Sequence, residues 1–330
     1  MSPTIGDSPD SSDNSITVGI PSYNRGEILC RTLSQILPHL SPVVREVIVA
    51  DQCPSHFREV MVRLQELQTC PRLRYLTLER SGLPIARNAI LAAAKTEFLV
   101  FLDDDVILPH GFFESYLKTF IETGAQIIQG QVIQLYNLDE FDKPAELLRP
   151  RGSPQFGTVS MWMKDLSFFI GANHAIRRSR ALQVGGYDEQ MGCGVAKNEE
   201  ADFINRATQS STDVYYESNC WLVHYSAPTG GVRQRPSPLS GEWKKSYTDL
   251  LWCFRHGRRL GNPGKLFWKA LRRGPLRKDN IRRFWRQPWA WIAFAFAVLR
   301  AFQQRHEIMG IAPDGSPRKL RYPDRITSSS

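Results

Sequence analysis

The stretch Phe98-Leu99-Val100-Phe101-Leu102-Asp103-Asp104-Asp105 is an apolar run of five residues that ends in three carboxylates. A short apolar run of this kind is typical of a strand buried inside a sheet. Three adjacent carboxylates oppose one another's ionisation, and a hard divalent cation such as Mg²⁺ or Mn²⁺ relieves that repulsion. The alternatives are a solvated acidic turn and an acidic cap on a helix that begins at Pro109.

Working outward from this run, a regular alternation of strand and helix patterns fills the first third of the chain. The β-rich runs are Ile16–Ile20, Glu46–Ala50, Arg74–Leu78 and Glu97–Leu102. The intervening helices are predicted around residues 29–40, where leucine and isoleucine recur at helical spacing, and at Phe57–Leu67. The pattern predicts an α/β fold with a mostly parallel sheet covered by helices on both faces, and ligands in such sheets bind beyond the carboxyl ends of the strands.

Composition sets the broad class of the protein. The 330 residues are 42% hydrophobic and 23% charged, which excludes a chain that is disordered throughout and a disulfide scaffold. Six dispersed cysteines without a Cys-x-x-Cys pair are typical of reduced thiols in a cytosolic compartment. Residues 1–14 lack a basic start and an apolar core, so we expect a disordered tail rather than a secretory signal.

Three strings occur in a recognisable order. They are Pro21-Ser22-Tyr23-Asn24-Arg25, then Gly82…Ala86-Arg87-Asn88, then Phe101-Leu102-Asp103-Asp104-Asp105. Together they resemble the family 2 glycosyltransferases, whose nucleotide-sugar-binding fold is called GT-A, and the resemblance covers about residues 15–227. It implies a catalytic domain at 15–230, with a donor half at 15–107 and an acceptor half at 108–230.

The resemblance also implies roles for residues of the donor half. The residues implied to bind the nucleotide sugar are Pro21, Tyr23, Arg25, Asp51, Arg87, Asp103 and Asp104. Asp51 would hydrogen-bond the base, Arg87 would face the phosphates, and Asp105 would hold the metal. Gln52, Cys53 and Pro54 follow Asp51 where the family commonly has Asp, Gly and Ser, which weakens the expected base contact.

The acceptor half carries further matches to the family. Gly171-Ala172-Asn173 and Gly185-Gly186-Tyr187-Asp188 resemble segments between the donor and acceptor sites, so Asn173 is expected on the acceptor side. In Asn198-Glu199-Glu200-Ala201-Asp202-Phe203, the alignment places Glu200 at the position of the catalytic base, with Glu199 and Asp202 on the acceptor side. An acidic first turn of a helix explains the same residues without catalysis.

Two predictions concern the end of the acceptor half. Residues 213–216 and 221–223 are predicted as two short strands, and His224, which follows them, resembles a metal ligand of this fold. Gly230-Gly231 is interpreted as a mobile loop, from which Arg233 and Arg235 would reach the diphosphate as it leaves.

The C-terminal region, 231–330, is basic, aromatic and predicted to be helical. Residues 231–305 hold 18 Lys or Arg against three acidic residues. Helices are predicted at Trp243–His256, Lys265–Arg272 and Pro288–Phe302. The apolar run at 288–299 is too short to span a bilayer, which needs about 20 residues. Helix 287–304 is therefore predicted to lie in a membrane interface, and the alternatives are packing on the catalytic domain and a dimer contact.

These features together lead to one functional hypothesis and three competitors. The resemblance implies an inverting, metal-dependent transferase that moves a sugar from a UDP-sugar, or from a dTDP- or GDP-sugar, to a glycan or lipid-linked acceptor. Its expected location is the inner face of the cytoplasmic membrane. The competitors are a silent nucleotide-sugar-binding scaffold, a sugar-nucleotide nucleotidyltransferase and a nucleic-acid-binding protein, and the last ranks lowest because no recognition motif is present.

Overall fold

A computed structural model describes residues 14–136, 143–166, 169–192, 198–227, 230–231, 238–257 and 261–322. It confirms the predicted α/β architecture. The main sheet has ten strands in the order β3-β2-β1-β4-β9-β6-β10-β5, with β7 beside β6 and β8 beside β10. These strands are β1 (Ile16–Ser22), β2 (Val44–Asp51), β3 (Leu73–Thr77), β4 (Phe98–Leu102), β5 (Val106–Ile107), β6 (Ile127–Gln134), β7 (Ser153–Pro154), β8 (Met161–Trp162), β9 (Asn173–Arg177) and β10 (Val214–His224).

The sheet is parallel in its first half and mixed in its second. β1 pairs in parallel with β2 and β4, and β2 pairs in parallel with β3. β9 then runs antiparallel between β4 and β6, while β6 and β10 are parallel to each other. The carboxyl ends of β1, β2, β4 and β10 consequently lie at one edge, where the predicted polar residues follow the strands.

Eleven α-helices are present in the described residues. They are α1 (Gly26–Ile36), α2 (Arg58–Leu67), α3 (Leu83–Ala93), α4 (Phe112–Thr123), α5 (Ala145–Leu148), α6 (Arg178–Gln183), α7 (Glu199–Ala207), α8 (Pro238–His256), α9 (Pro263–Arg273), α10 (Lys278–Arg282) and α11 (Gln287–Gln304). Within the described ranges, none is both long and apolar enough to cross a bilayer.

β4 shows why the apolar run decides the fold. All five of its side chains are buried. Phe98, Val100 and Leu102 enter the core formed with α1, α2 and α4, while Leu99 and Phe101 enter the core formed with α3, α6 and α7. Because side chains alternate across a strand, an uninterrupted apolar run can serve both faces of a covered sheet.

Three features differ from the sequence prediction. The sheet is mixed rather than mostly parallel, because β9 lies antiparallel between β4 and β6. Residues 214–224 form one strand, because a shift in register between Glu217 and Trp221 absorbs the polar interruption that suggested two. A hairpin of β11 (Glu307–Ile311) and β12 (Pro317–Arg321) was not predicted. The five described cysteines are free.

The C-terminal helices have a core of their own. Buried side chains of α8, α9 and α11 pack together, including Leu250, Ala270, Phe294 and Ala297. Met191, from the segment before α7, belongs to the same cluster. These contacts join the region to the preceding domain, and the boundary placed at residue 230 stays a prediction.

Candidate active site

The three aspartates that follow β4 have different surroundings. Asp103 is the most exposed of them, with 30% of its side chain accessible. Asp104 is buried and accepts hydrogen bonds from Ser22 Oγ at 2.6 Å and from Arg25 Nη1 at 2.8 Å. Asp105 is fully buried and accepts from Arg25 Nη1 at 3.0 Å and from the Ala227 amide at 2.8 Å. Asp103 is therefore the triplet residue most open to a ligand.

Asp103, Asp105 and His224 form a candidate metal centre. Their ligand atoms all lie within 4.8 Å of one another. His224 Nε2 is 3.0 Å from Asp105 Oδ1 and 3.4 Å from Asp103 Oδ2. Sheet pairing causes this proximity, because His224 at the end of β10 pairs with Val106, the residue directly after Asp105.

Gln134 determines which nitrogen of His224 faces the carboxylates. The Gln134 amide nitrogen donates to the backbone oxygens of Leu135 and His224, so Gln134 Oε1 faces His224 Nδ1 at 3.0 Å. Nδ1 therefore carries a hydrogen, and Nε2 faces the two aspartates. Burial lowers the pKa of His224, but Asp103 and Asp105 outweigh burial and raise this pKa to about 10. The pair of carboxylates thus attracts a positive charge to this point.

The donor set of this centre fits Mg²⁺ or Mn²⁺. Carboxylate oxygens suit both ions, and an imidazole nitrogen favours Mn²⁺ because Mg²⁺ is the harder of the two. Asp105 Oδ1 is buried, and His224 Nε2, another of the proposed ligands, lies 3.0 Å from it. A divalent cation held between these atoms would take the place of the His224 proton.

Arg25 neutralises part of the acidic triplet. Besides Asp104 and Asp105, its guanidinium donates to the Ala227 carbonyl at 3.2 Å. Burial alone would lower the pKa of Arg25, but the neighbouring aspartates raise it, so the side chain stays charged. Arg25 lies among the predicted donor residues, and in the structure it pairs with two carboxylates of the triplet.

Asp51 is also surrounded by protein donors. It is buried at the end of β2, where Oδ1 accepts from the Cys53 amide at 3.0 Å. Oδ2 lies 2.5 Å from both His56 Nε2 and the Tyr75 hydroxyl. These contacts leave the carboxylate little capacity for a nucleobase, so the base contact stays a prediction.

Pro21 and Tyr23 lie where β1 ends. Pro21 is buried within the strand, and Tyr23 is partly exposed just beyond it. The Tyr23 carbonyl accepts from the Gly231 amide at 2.8 Å, and a Cβ at Gly230 would lie 2.4 Å from the Asn24 carbonyl oxygen. The glycine pair therefore packs against this end of β1. Arg233 and Arg235 lie outside the described residues.

Arg87 joins the donor half to the acceptor half. It lies on α3 and is buried, and its Nη2 donates to Glu200 Oε1 at 3.2 Å and to the Gly171 carbonyl at 3.3 Å. Its Nε and Nη1 are buried without a hydrogen-bond partner in the described part of the chain. Burial lowers the pKa of Arg87, but Glu200 and neighbouring groups raise it. A charged guanidinium with two unpartnered donor nitrogens is suited to an anionic ligand.

Gly171 is required for this pairing. A Cβ at this position would lie 1.9 Å from Glu200 Oε1 and 2.5 Å from Arg87 Nη2. The glycine thus allows the carboxylate and the guanidinium to meet against the backbone that precedes β9. The Gly171-Ala172-Asn173 string signalled this close approach, although the approaching groups were not predicted.

Glu199 and Glu200 differ in environment although they are adjacent in α7. Glu200 has 27% of its side chain exposed. Glu199 is buried, and its Oε2 has no partner among the described residues. Burial and the charge of Glu200 raise the pKa of Glu199 to about 8, so its neutral form predominates at pH 7. Glu200 is the one of the two that is open to a substrate.

Tyr187 and His174 contact Arg87 and Gly171, and neither was predicted as a functional residue. His174 Nδ1 lies 2.9 Å from the Gly171 carbonyl, and Nε2 lies 2.7 Å from the Tyr187 hydroxyl. Burial keeps the pKa of His174 well below its ordinary value, so the ring is neutral. The Arg87 guanidinium lies 5.1 Å from the centre of the Tyr187 ring, which is a cation–π contact.

Two residues expected on the acceptor side lie away from the crevice. Asn173 is buried in the sheet, where its amide bonds the carbonyls of Gln131 and Cys220 and the hydroxyl of Tyr116. Asp202 is buried and pairs with Arg206 at 2.8 Å. The structure therefore gives no support to a direct acceptor contact for either side chain.

Comparison with solved structures shows the class of fold. The chain resembles Staphylococcus aureus TarS 1–349, in a crystal structure with UDP-GlcNAc, with a TM-score of 0.60 and 14% sequence identity, covering 88% of this chain and 85% of TarS. The fold is therefore that of the GT-A glycosyltransferases. The sequence profile of Glycosyl transferase family 2 matches residues 17–184, about half of the chain, and the protein belongs to this family of glycosyltransferases.

Characterised relatives agree with this assignment. The succinoglycan biosynthesis protein ExoM of Rhizobium meliloti is 26% identical over 216 residues, which are 64% of this chain and 67% of ExoM. The poly(ribitol-phosphate) β-N-acetylglucosaminyltransferase TarP of S. aureus is 26% identical over 35% of this chain and 36% of TarP. The matched part of a Mycobacterium tuberculosis pre-mycofactocin glycosyltransferase is 30% of that protein. Some relatives are therefore much longer than the shared domain.

Proposed function

We propose that this glycosyltransferase is metal-dependent and inverting, and that it transfers a sugar from a nucleoside diphosphate to a hydroxyl group of a glycan or lipid-linked acceptor. The observation that carries the proposal is the convergence of Asp103, Asp105 and His224 within 4.8 Å at the strand ends. Arg87 and Glu200 lie close to this centre, because the Asp103 amide donates to the Ala172 carbonyl at 3.4 Å, and Arg87 and Glu200 both approach the neighbouring Gly171. A metal centre, a guanidinium and a carboxylate would thus line one site.

The donor side would bind the diphosphate. Asp103, Asp105 and His224 would hold Mg²⁺ or Mn²⁺, which supplies positive charge to the phosphates as the nucleotide leaves. Arg87 would direct its unused Nε and Nη1 donors to the same anion. Arg25, by pairing with Asp104 and Asp105, keeps the triplet from carrying its full negative charge.

The acceptor side would use Glu200 as general base. Its carboxylate would take the proton from the acceptor hydroxyl as the oxygen attacks the anomeric carbon of the donor sugar. Attack from the face opposite the leaving nucleotide inverts the anomeric configuration. Arg87 holds Glu200 Oε1 at 3.2 Å and so orients the carboxylate without fully enclosing it.

A UDP-sugar is the donor class we favour. TarP is named as an N-acetylglucosaminyltransferase, and the fold neighbour TarS binds UDP-GlcNAc. ExoM is named for the synthesis of a polysaccharide, succinoglycan, which supports a glycan or lipid-linked acceptor in cell-surface polysaccharide synthesis. GDP- and dTDP-sugars remain within the same chemistry, because the metal and Arg87 recognise the diphosphate that all three share.

A ligand panel tests the donor and the metal together. UDP-, GDP- and dTDP-sugars are added with and without Mn²⁺, and the melting temperature is recorded. Saturation with the correct donor should raise the melting temperature by about 5 °C, and only with Mn²⁺ present. Equal stabilisation without the cation would contradict metal dependence. Donor binding without turnover on any acceptor would favour the silent scaffold.

We further propose that α11 attaches the protein to the inner face of the cytoplasmic membrane. One face of the helix, with Ala290, Phe294, Ala297 and Ala301, is buried against the neighbouring helices. A second face exposes large apolar side chains at helical spacing. These are Trp289, Ile292, Phe296 and Leu299, and each is at least 54% exposed.

Charge around this face favours an anionic lipid surface. Between Asp279 and Glu307 the sequence has five arginines and no acidic residue. Exposed aromatic side chains flanked by arginines are characteristic of helices that lie in a membrane interface. Phe284 and Trp285, which directly precede α11, are also exposed and extend the apolar surface.

Replacing Trp289 and Leu299 by serine should release the protein from vesicles. Each exposed side chain contributes about 2 kcal/mol of apolar transfer, so the pair is expected to lower vesicle affinity about 10²- to 10³-fold. Sedimentation with phosphatidylglycerol/phosphatidylcholine vesicles measures this change, and pure phosphatidylcholine vesicles report the charge contribution.

The matched control for this experiment is Ile121→Ser, because Ile121 is 57% exposed on α4, outside the proposed surface. The control should bind vesicles like the wild type. Undiminished binding by the Trp289/Leu299 double variant would place the membrane contact elsewhere, and failure of the wild type to bind would reject the attachment.

A further inference from the structure

A buried cluster of charges joins α7 to α8. Arg255, near the end of α8, donates from Nη1 to Asp188 at 2.6 Å and to Asp202 at 3.3 Å. His256 Nε2 lies 3.1 Å from Asp202, which also pairs with Arg206 at 2.8 Å. All five side chains are buried. The cluster therefore ties the segment after α6, helix α7 and helix α8 to one another.

Arg255 also holds the chain that follows α11. Its Nε donates to the Arg305 carbonyl at 3.3 Å, and its Nη2 donates to the carbonyls of Gln304 and Glu307. Every nitrogen of this guanidinium thus has a partner in a different segment from its own. A lysine ammonium carries three donors on a single atom and cannot reproduce this planar arrangement.

A second contact holds α7 at its start. Asn198, directly before Glu199 and Glu200, has a φ of 64° and donates to the Thr248 carbonyl at 3.4 Å and to Asp249 Oδ1 at 3.1 Å. Both acceptors belong to α8. Helix α7 is therefore fixed to α8 at its N-terminal cap and again one turn later at Asp202.

Helical geometry connects these contacts to the crevice. Glu200 and Asp202 are two residues apart, so they lie about 200° apart around the axis of α7. Glu200 faces Arg87 on one side, while Asp202 is held by Arg255 on the other. A rotation or shift of α7 would move the Glu200 carboxylate relative to the donor, and a displacement of about 1 Å is enough to slow a reaction about 100-fold.

We propose that helix α8 positions the base-bearing helix α7, with Arg255 and Asn198 as positioning residues for Glu200. The proposal rests on the proposed role of Glu200 as general base. It gives the C-terminal region, beyond the part of the chain that matches the family profile, a direct part in the geometry of catalysis. Neither Arg255 nor Asn198 needs to contact a substrate for this role.

Two variants of the full chain test the positioning role. Arg255→Lys keeps a positive charge in the cluster, but the lysine cannot make all of the hydrogen bonds of the Arg255 guanidinium. Asn198→Gly keeps a residue that tolerates positive φ and removes only the contacts to α8. Each should lower kcat about 10- to 100-fold, while the donor KM changes less than threefold and the donor-dependent rise in melting temperature persists.

The control is Arg72→Lys. Arg72 donates to the carbonyls of Leu40, Ser41 and Val44, so the substitution disturbs an arginine bonded to several carbonyls far from α7. It should lower the melting temperature and leave kcat unchanged. If Arg255→Lys does not fold, Asn198→Gly decides alone, because its side chain is outside the buried charge cluster.

The outcomes separate this inference from the proposed function. Wild-type kcat in Asn198→Gly, or in a folded Arg255→Lys, overturns the positioning role if Glu200→Gln is inactive in the same assay. Full activity of Glu200→Gln instead rejects the base assignment on which the inference depends. A rise in donor KM with unchanged kcat would also overturn it, because a displaced base slows the chemical step rather than donor binding.

Discussion

Glu200→Gln is expected to retain donor binding and to lose about 10³-fold in kcat. Glutamine has nearly the same size, and its amide oxygen can still accept from Arg87 Nη2, which bonds Glu200 Oε1 at 3.2 Å. The amide cannot take the proton of an acceptor hydroxyl, and general base catalysis contributes about 10²- to 10⁴-fold. Steady-state rates with the donor identified in the ligand panel measure the loss.

The protonation state of Glu199 determines how wild-type activity of Glu200→Gln would be interpreted. Its pKa is raised to about 8, so at pH 7 it is mostly protonated and is a poor base. If Glu200→Gln transfers sugar at the wild-type rate, the base assignment is wrong, and Glu199→Gln becomes the decisive variant. Glu97→Gln is the matched control, because Glu97 precedes β4 at the opposite end of the sheet and bonds Ser179.

The first half of the fold could be predicted because the apolar residues of each local pattern are the residues that are buried in the structure. The run Phe98–Leu102 is apolar at every position and supplies both cores, so its strand was predicted with nearly correct ends. The antiparallel insertion of β9 between β4 and β6 could not be predicted, because pairing across 70 residues leaves no periodic signal. The β11–β12 hairpin is local, and Asp314-Gly315 in its turn is a hairpin signal, but it was missed because these residues were interpreted only as part of the basic, helical C-terminal region.

Residues of the candidate site that belong to a sequence motif were predicted. Residues that reach the site only through the pairing of strands were missed. Asp103, Asp105 and His224 were each singled out in the sequence, and sheet pairing brings them together. Gln134, which orients His224, follows no motif and reaches it through the pairing of β6 with β10. Asn173 illustrates the opposite case, since a residue within a motif serves the sheet and not the crevice.

Asp105→Asn is expected to abolish cation-dependent donor binding and to reduce kcat/KM by about 10³-fold. The asparagine can keep its oxygen toward Arg25 and the Ala227 amide, which now bond Asp105 Oδ2. Its amide nitrogen would then donate to Nε2 of a neutral His224, so the protein should stay folded. What is lost is one of two carboxylate ligands, and charge stabilisation by a bound cation contributes several kcal/mol to such reactions, at about 1.4 kcal/mol per tenfold in rate.

Calorimetric titration with Mn²⁺, followed by the same titration with donor present, separates metal binding from general damage to the protein. Asp213→Asn is the control, because Asp213 is a buried carboxylate that bonds the Gln209 and Ser210 amides just before β10, at the end opposite His224. It should lower the melting temperature and leave Mn²⁺ binding unchanged. Wild-type Mn²⁺ affinity in Asp105→Asn would show that the cluster of Asp103, Asp105 and His224 is not the metal centre, because a neutral amide in place of the buried carboxylate removes both a ligand and the charge that attracts the cation.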